Sequence, residues 1–166
     1  SDLKVENGKV IFKAEEKDIP IANLWLRSAD RVLLKMGEFK ATSFDELFEK
    51  TKALPWEEWI TEDGEFTVEG KSIDSQLFSI SDSQAIVKKA IVEKMKTKYH
   101  REWFEETGAK FTVEVSLLKD IATLTIDTSG PGLHKRGYRL DSVEAPLKET
   151  LAAAMVLLSF WNKDRV

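Results

Sequence analysis

Residues 70–99 carry the pattern that most restricts the fold: GKSIDSQLFS, a hinge at Ile80, and then SDSQAIVKKAIVEKMKTKY. The first ten residues read as a short extended segment, and the rest as a capped basic helix. Ser81 suits the N-cap, because its hydroxyl can accept a free backbone N–H of the first turn. Gln84 three residues on completes an S-x-x-Q capping box, and Ile80 with Ala85 sits where a hydrophobic staple would form. Val87, Ala90, Ile91 and Met95 recur at helical spacing as one apolar face, with Lys89, Glu93 and Lys96 opposite in water. A strand running straight into such a helix calls for a sheet to pack on. Six lysines against three acids leave the stretch locally at +3. A helix start flanked by Lys71, Ser72, Ser75, Lys88 and Lys89 is a candidate phosphate seat. The plainer reading is an amphipathic helix whose lysines keep it soluble, and pattern alone favours that reading.

The wording of this stretch says more than its periodicity. GKSIDSQLFS followed by SDSQAIVKKAIVEKM resembles the core of the THUMP domain, an RNA-binding module of RNA-modifying enzymes. Together with the C-terminal third of the chain, the stretch is similar to the THUMP-containing class I methyltransferases that act on guanine N2 of large-subunit ribosomal RNA. The resemblance implies RNA as partner and a cytoplasmic protein. It implies S-adenosylmethionine as cofactor of a longer parent, with none bound by this chain itself.

Earlier in the chain, LKVENGKVIF (residues 3–12) is a hairpin signal, since Asn7-Gly8 suits a type I′ turn. Asp18 is expected to cap a helix with Pro20 in its first turn and with Ile21, Leu24 and Trp25 along it. A strand is expected around residues 32–36. Ser43 and Glu46 form a second capping box that opens a helix bearing Phe44, Leu47 and Phe48 and stopping near Pro55. Trp56 and Trp59 have acidic neighbours that would repel phosphate, so they are assigned to packing and not to base stacking. Phe111, Val113, Val115 and Leu117 alternate with polar residues as a half-buried strand. Lys119-Asp120 is the expected tight turn into the partner strand IATLTIDTSG. Strands and helices interleave, which gives an α/β (α+β) fold with a mixed sheet. In the resembled family a ferredoxin-like domain precedes the THUMP core, and residues 3–36 are similar to its second half. The expected division is residues 1–62 for this partial ferredoxin-like part, 63–130 for THUMP, and 131–166 for a linker with the opening helix of a Rossmann-like methyltransferase domain.

Bulk composition narrows the chemistry. The chain has 166 residues and a net charge of −4. This overall charge runs weakly against nucleic acid, where a basic footprint is usual. Its distribution matters more: residues 38–69 hold ten acids against Lys40, Lys50 and Lys52, so basic groups concentrate elsewhere. With no cysteine and only His100 and His134, disulfides, thiolate sites and a histidine-based metal site are excluded. No segment approaches the roughly 20 apolar residues of a membrane-spanning helix. A start at Ser1 without Met suggests a trimmed fragment. No P-loop, G-x-G-x-x-G or G-x-S-x-G is present, so this chain alone is not expected to be an enzyme.

The character changes at GPGLHKRGYR (residues 130–139), which carries Lys135, Arg136 and Arg139 and no acid. A solvated inter-domain linker explains it. A basic strap explains it equally well, with its arginines on phosphate and Tyr138 stacked on a base. GLHKRGYR followed by APLKETLAAA also resembles the junction at which the catalytic domain of the methyltransferase family begins. The final segment, EAPLKETLAAAMVLLSFW, is expected to start a helix at Pro146 and is apolar nearly all round. Four of its side chains, Leu151, Met155, Leu158 and Phe160, would favour pairing with a copy from another chain, because a two-fold contact needs one self-complementary patch. The RNA-binding candidates are thus Lys71, Ser72, Ser75, Lys88, Lys89, Lys135, Arg136, Tyr138 and Arg139. Of these, Lys71, Lys88, Lys89, Arg136 and Arg139 are expected to form one continuous basic surface. The competing reading is a protein-interaction or oligomerisation module built on the 145–161 helix.

Overall fold

The computed structural model describes residues 3–6, 8–137, 144–159, 161, 162 and 164. In chain order the elements are β1 (Leu3–Glu6), β2 (Lys9–Phe12), α1 (Asp18–Trp25), β3 (Leu33–Lys40), α2 (Phe44–Lys52), β4 (Glu65–Ile73), α3 (Ile80–Tyr99), β5 (Lys110–Leu118), β6 (Ile121–Asp127) and α4 (Glu149–Leu158). A short 3-10 turn, Trp56–Glu58, lies between α2 and β4.

The chain divides into two compact units, Leu33–Gly130 and a second made of Ser1–Val32 with Pro131–Val166. The division expected from sequence, with a boundary after residue 62, groups β3 and α2 with the N-terminal part. In the structure both elements belong to the central unit, because β3 pairs antiparallel with β6, from Leu33↔Asp127 to Lys40↔Ile121. That pairing joins residues more than eighty positions apart, which no local pattern announces.

The central unit is a four-stranded mixed sheet in the order β3-β6-β5-β4. β4 and β5 run parallel, with α3 as their crossover, and β5–β6 is a hairpin. Lys119 and Asp120 both have positive φ (50° and 64°), as a tight hairpin turn of the primed type requires. In β5 and β6, Val113, Val115, Leu117, Ala122, Leu124 and Ile126 are buried. They face the helices, where Val87, Ala90, Ile91 and Met95 of α3 and Leu47 of α2 close the core. Burying each Val-, Leu- or Ile-sized side chain stabilises the fold by roughly 1.5–3 kcal/mol. This layer therefore outweighs the exposed ion pairs around it. Trp56 is fully buried and donates its indole N–H to the Thr51 carbonyl at 2.7 Å, which places it in the core.

β3 carries a bulge between Lys35 and Gly37, and the extra residue keeps Leu34, Gly37 and Phe39 in phase on the helix side. A Cβ at Gly37 would lie 2.8 Å from the Leu54 side chain. α2 starts as expected: the Ser43 hydroxyl accepts from the Glu46 N–H at 3.2 Å, and the Glu46 carboxylate accepts from the Thr42 N–H at 2.8 Å.

In the other unit, β1 and β2 pair from Leu3↔Phe12 to Glu6↔Lys9, with Gly8 at φ 73° in the turn. Asp18 is the first residue of α1 and not its cap; its carboxylate accepts from the Glu15 N–H at 2.9 Å. α4 starts at Glu149, three residues after Pro146, and Leu151, Met155, Val156, Leu157 and Leu158 are exposed. Phe160 lies outside the described residues.

Candidate nucleic-acid interface

The stretch singled out from sequence forms the end of β4, the connection to α3 and α3 itself. Its N-cap is Ser79 and not Ser81: the Ser79 hydroxyl accepts from the Asp82 N–H at 3.4 Å, and its carbonyl accepts from the Ser83 hydroxyl at 2.8 Å. Gln84 does not reach back to the cap; its amide donates to the Val68 carbonyl on β4 at 2.9 Å. Leu77 fixes the helix start. It is buried, and its carbonyl accepts from the Ser72 hydroxyl at 2.8 Å.

Residues 74–79 form a braced loop. Asp74 takes a left-handed conformation at φ 49°. The Ser75 hydroxyl donates to the Ile73 carbonyl at 3.0 Å and accepts from the Asp120 N–H at 3.1 Å. The Asp120 carboxylate accepts from the backbone and side-chain amides of Gln76 at 2.7 and 3.2 Å. The Gln76 backbone N–H foremost, then its side chain, holds the Asp120 carboxyl below the ordinary carboxylate range. Ser72 and Ser75 are therefore braces of this loop.

The lysines divide between two faces of the central unit. Residues 66, 68, 70 and 72 of β4 align with 111, 113, 115 and 117 of β5, whose side chains face the helices. Lys71 alternates to the open face, where its ammonium pairs with Glu114. Lys88 lies on α3 with its ammonium 5.5 Å from the Phe66 ring centroid, and Lys89 sits 5.8 Å from the Phe48 ring. The expected continuous basic surface is thus broken within this unit, because the strand's alternation turns Lys71 away from the helix layer.

In the other unit, Arg136 is held by backbone. Its Nε donates to the Leu133 carbonyl at 3.0 Å, Nη1 to Leu24 at 2.9 Å, and Nη2 to Asn23 at 3.0 Å and Leu26 at 2.8 Å. Three of these carbonyls close the C-terminal end of α1, where a cation is also favoured by the helix dipole. Asp30 makes a second clasp: Thr150 donates to it at 2.6 Å, Lys148 pairs with it at 3.5 Å, and its carbonyl accepts from the Leu133 N–H at 2.9 Å. The Thr150 hydroxyl foremost, helped by Lys148, holds the Asp30 carboxyl below its ordinary value. His134 packs against Gly132, where a Cβ would lie 2.7 Å from the imidazole. Lys135 is exposed, while Tyr138 and Arg139 lie outside the described residues.

Sequence reasoning passed over Phe78, which is 82% exposed next to buried Leu77. The signal was available, since two adjacent apolar residues before a helix cap cannot both point inward. Among the described residues there is no group of three His, Cys, Asp or Glu that could hold a metal ion, and no helix long and apolar enough to cross a membrane.

A family model for the THUMP domain matches residues 41–127. One for the RlmL ferredoxin-like domain matches residues 1–33, and one for the RMKL-like methyltransferase domain matches residues 136–166. YpsC of Bacillus subtilis (strain 168), provisionally named an RNA methyltransferase, is 58% identical over 99% of this chain and 43% of its own length. The ribosomal RNA large subunit methyltransferase K/L of Syntrophotalea carbinolica is 37% identical over 83% of this chain and 20% of its own. A Listeria monocytogenes protein described as a predicted N6-adenine-specific DNA methylase superposes with TM-score 0.94 at 62% identity, covering 99% of this chain and 43% of that one. SMU.472, described as a methyltransferase in complex with SAH, gives TM-score 0.91 at 48% identity over 98% of this chain and 44% of that one. The chain thus spans less than half the length of these proteins.

Proposed function

Because the chain belongs to the THUMP-domain family, we propose that it is the RNA-binding portion of a methyltransferase that modifies guanine N2 in large-subunit ribosomal RNA. The observation that carries this reading is the order of matched segments in one chain: ferredoxin-like, THUMP, methyltransferase. The name of the Syntrophotalea carbinolica relative supports ribosomal RNA as the target.

The role of this chain is positioning. Cations on exposed surface, among them Lys88, Lys89 and Lys135, hold RNA backbone in register. A target base flipped from its helix then enters the pocket of the catalytic domain. S-adenosylmethionine belongs to that longer protein, where it supplies the methyl group; the residues of this chain include no glycine-rich turn to hold it. Arg136 and Asp30 contribute by fixing the segment that leads into the methyltransferase part.

The test is nucleoside analysis of ribosomal RNA treated with the whole protein and labelled S-adenosylmethionine. N2-methylguanosine is the expected product. N6-methyladenine in DNA would instead agree with the description carried by the Listeria monocytogenes protein and would overturn the reading.

A second reading draws on the exposed apolar residues of α4, Leu151, Met155, Leu157 and Leu158. In the whole protein this helix packs on the catalytic sheet, and in the isolated chain it pairs with a copy of itself. Light scattering checks the pairing: the dimer should dissociate when Leu151 and Leu158 become Ser, and a monomer before and after substitution contradicts it.

A further inference from the structure

We propose that Phe78 is a stacking platform for an unpaired RNA base, with Lys119, on the β5–β6 turn bonded to the same loop, as a phosphate contact. This inference rests on the RNA-binding reading and assigns it a place. Exposed apolar side chains are common on loops that move. Residues 74–79 are instead held by the hydrogen bonds of Ser72, Ser75, Gln76 and Asp120 and by the Ser79 cap. Leu77 is anchored in the core, so the next residue is directed outward, and Phe78 keeps 82% of its surface in water. A backbone already braced beneath the ring has lost the freedom that binding would otherwise remove from the loop.

Its surroundings suit a nucleotide. Ile73, Leu118 and Ile121 are paired neighbours across three strands and are 56%, 50% and 37% exposed. They form an apolar strip at this end of the sheet, and Lys40 stands opposite Ile121. The Lys119 N–H donates to the Ile73 carbonyl at 3.1 Å, which brings the β5–β6 turn against the end of β4. Among the described residues the Lys119 ammonium enters no ion pair. The adjoining Asp120 carboxylate is already engaged by Gln76, and on the strands Glu114 is engaged by Lys71 and Glu38 by Lys35. Asp74 and Asp82 remain exposed, so the strand is expected to leave on the Lys119 side. Flat apolar surface with a free cation at its edge is the composition of single-strand nucleic-acid sites. An apolar protein segment would use the strip without needing an aromatic ring.

The experiment measures binding of the 166-residue chain to a single-stranded RNA oligomer carrying 2-aminopurine, by anisotropy and by the probe's own fluorescence. Phe78→Ala should weaken binding by about 5- to 140-fold and abolish the stacking quench, at an unchanged salt slope. Phe78→Trp should retain both, and Phe78→Leu should behave like Ala. Lys119→Ala should lower the salt slope by about 0.7. Unchanged melting temperatures would show that the variants are folded, as exposure at position 78 predicts. Wild-type binding that Phe78→Ala leaves intact overturns this inference alone. Full binding by Phe78→Leu overturns it in favour of an apolar partner, and absence of RNA binding by the wild type overturns it together with the function it rests on.

Discussion

Replacing Trp56 should unfold the central unit at moderate temperature without acting through RNA. The side chain is fully buried among Leu47, Ile60 and the strand residues of the core. Removing so large a ring costs about 3–5 kcal/mol, transfer and cavity together. Each kcal/mol lowers Tm by about 4–8 °C in a unit of roughly this size, so Trp56→Ala should melt about 12–40 °C below the parent. Trp56→Phe separates packing from hydrogen bonding. It strands no acceptor, because the Thr51 carbonyl also accepts from the Leu54 N–H at 3.2 Å. Its cost is the lost indole bond and some ring area, about 1–2 kcal/mol. Urea unfolding followed by circular dichroism gives both values, since the slope with denaturant should stay constant while the midpoint moves. Equal destabilisation by Ala and Phe, or a Trp56→Ala midpoint within error of the parent, would refute the assignment of Trp56 to the core.

Arg136→Ala should destabilise the unit holding α1 and α4 by about 1–3 kcal/mol, and Arg136→Lys should recover less than half, because an ammonium cannot fork to four carbonyls. Thermal melts read this, and a fall of about one in the RNA salt slope with stability intact would show the guanidinium on phosphate instead. Asp120 has a folded pKa below its ordinary value, so its charge stabilises the loop above the ordinary aspartate range, and that contribution is lost as pH falls through the folded value. Asp120→Asn, which tolerates the positive φ of this turn, should melt with a weaker acid dependence below about pH 4, and identical acid profiles would contradict the assigned hydrogen bonds. Calorimetric titration of this chain with S-adenosylmethionine should show no saturable heat, and stoichiometric binding would contradict the assignment of the cofactor to the longer protein.

Local chemistry made some elements legible and long-range pairing hid others. The Ser43–Glu46 box and the Lys119-Asp120 turn were readable because each involves neighbours in sequence, as was the α3 face of Val87, Ala90, Ile91 and Met95. The N-cap of α3 was misplaced by two residues because Ser79, Ser81 and Ser83 are locally equivalent; the anchoring of Leu77 by Ser72 selects among them. Whether Lys71 shared a face with Lys88 depended on the parity of β4 against β5, which comes from the sheet. The partners of Arg136 include carbonyls 110 to 113 positions away, beyond any motif. The place of β3 in the central unit is hidden for the same reason, since its partner β6 lies more than eighty positions along the chain.

The central claim, that this chain holds RNA, is tested most directly by its affinity for a structured large-subunit ribosomal RNA fragment as salt is raised. Two to four phosphate contacts predict a linear fall of log K with log salt, at a slope of about −2 to −4, and weaker binding to duplex DNA of equal length under the same conditions. Binding that is absent, insensitive to salt, or tighter for DNA would contradict the account.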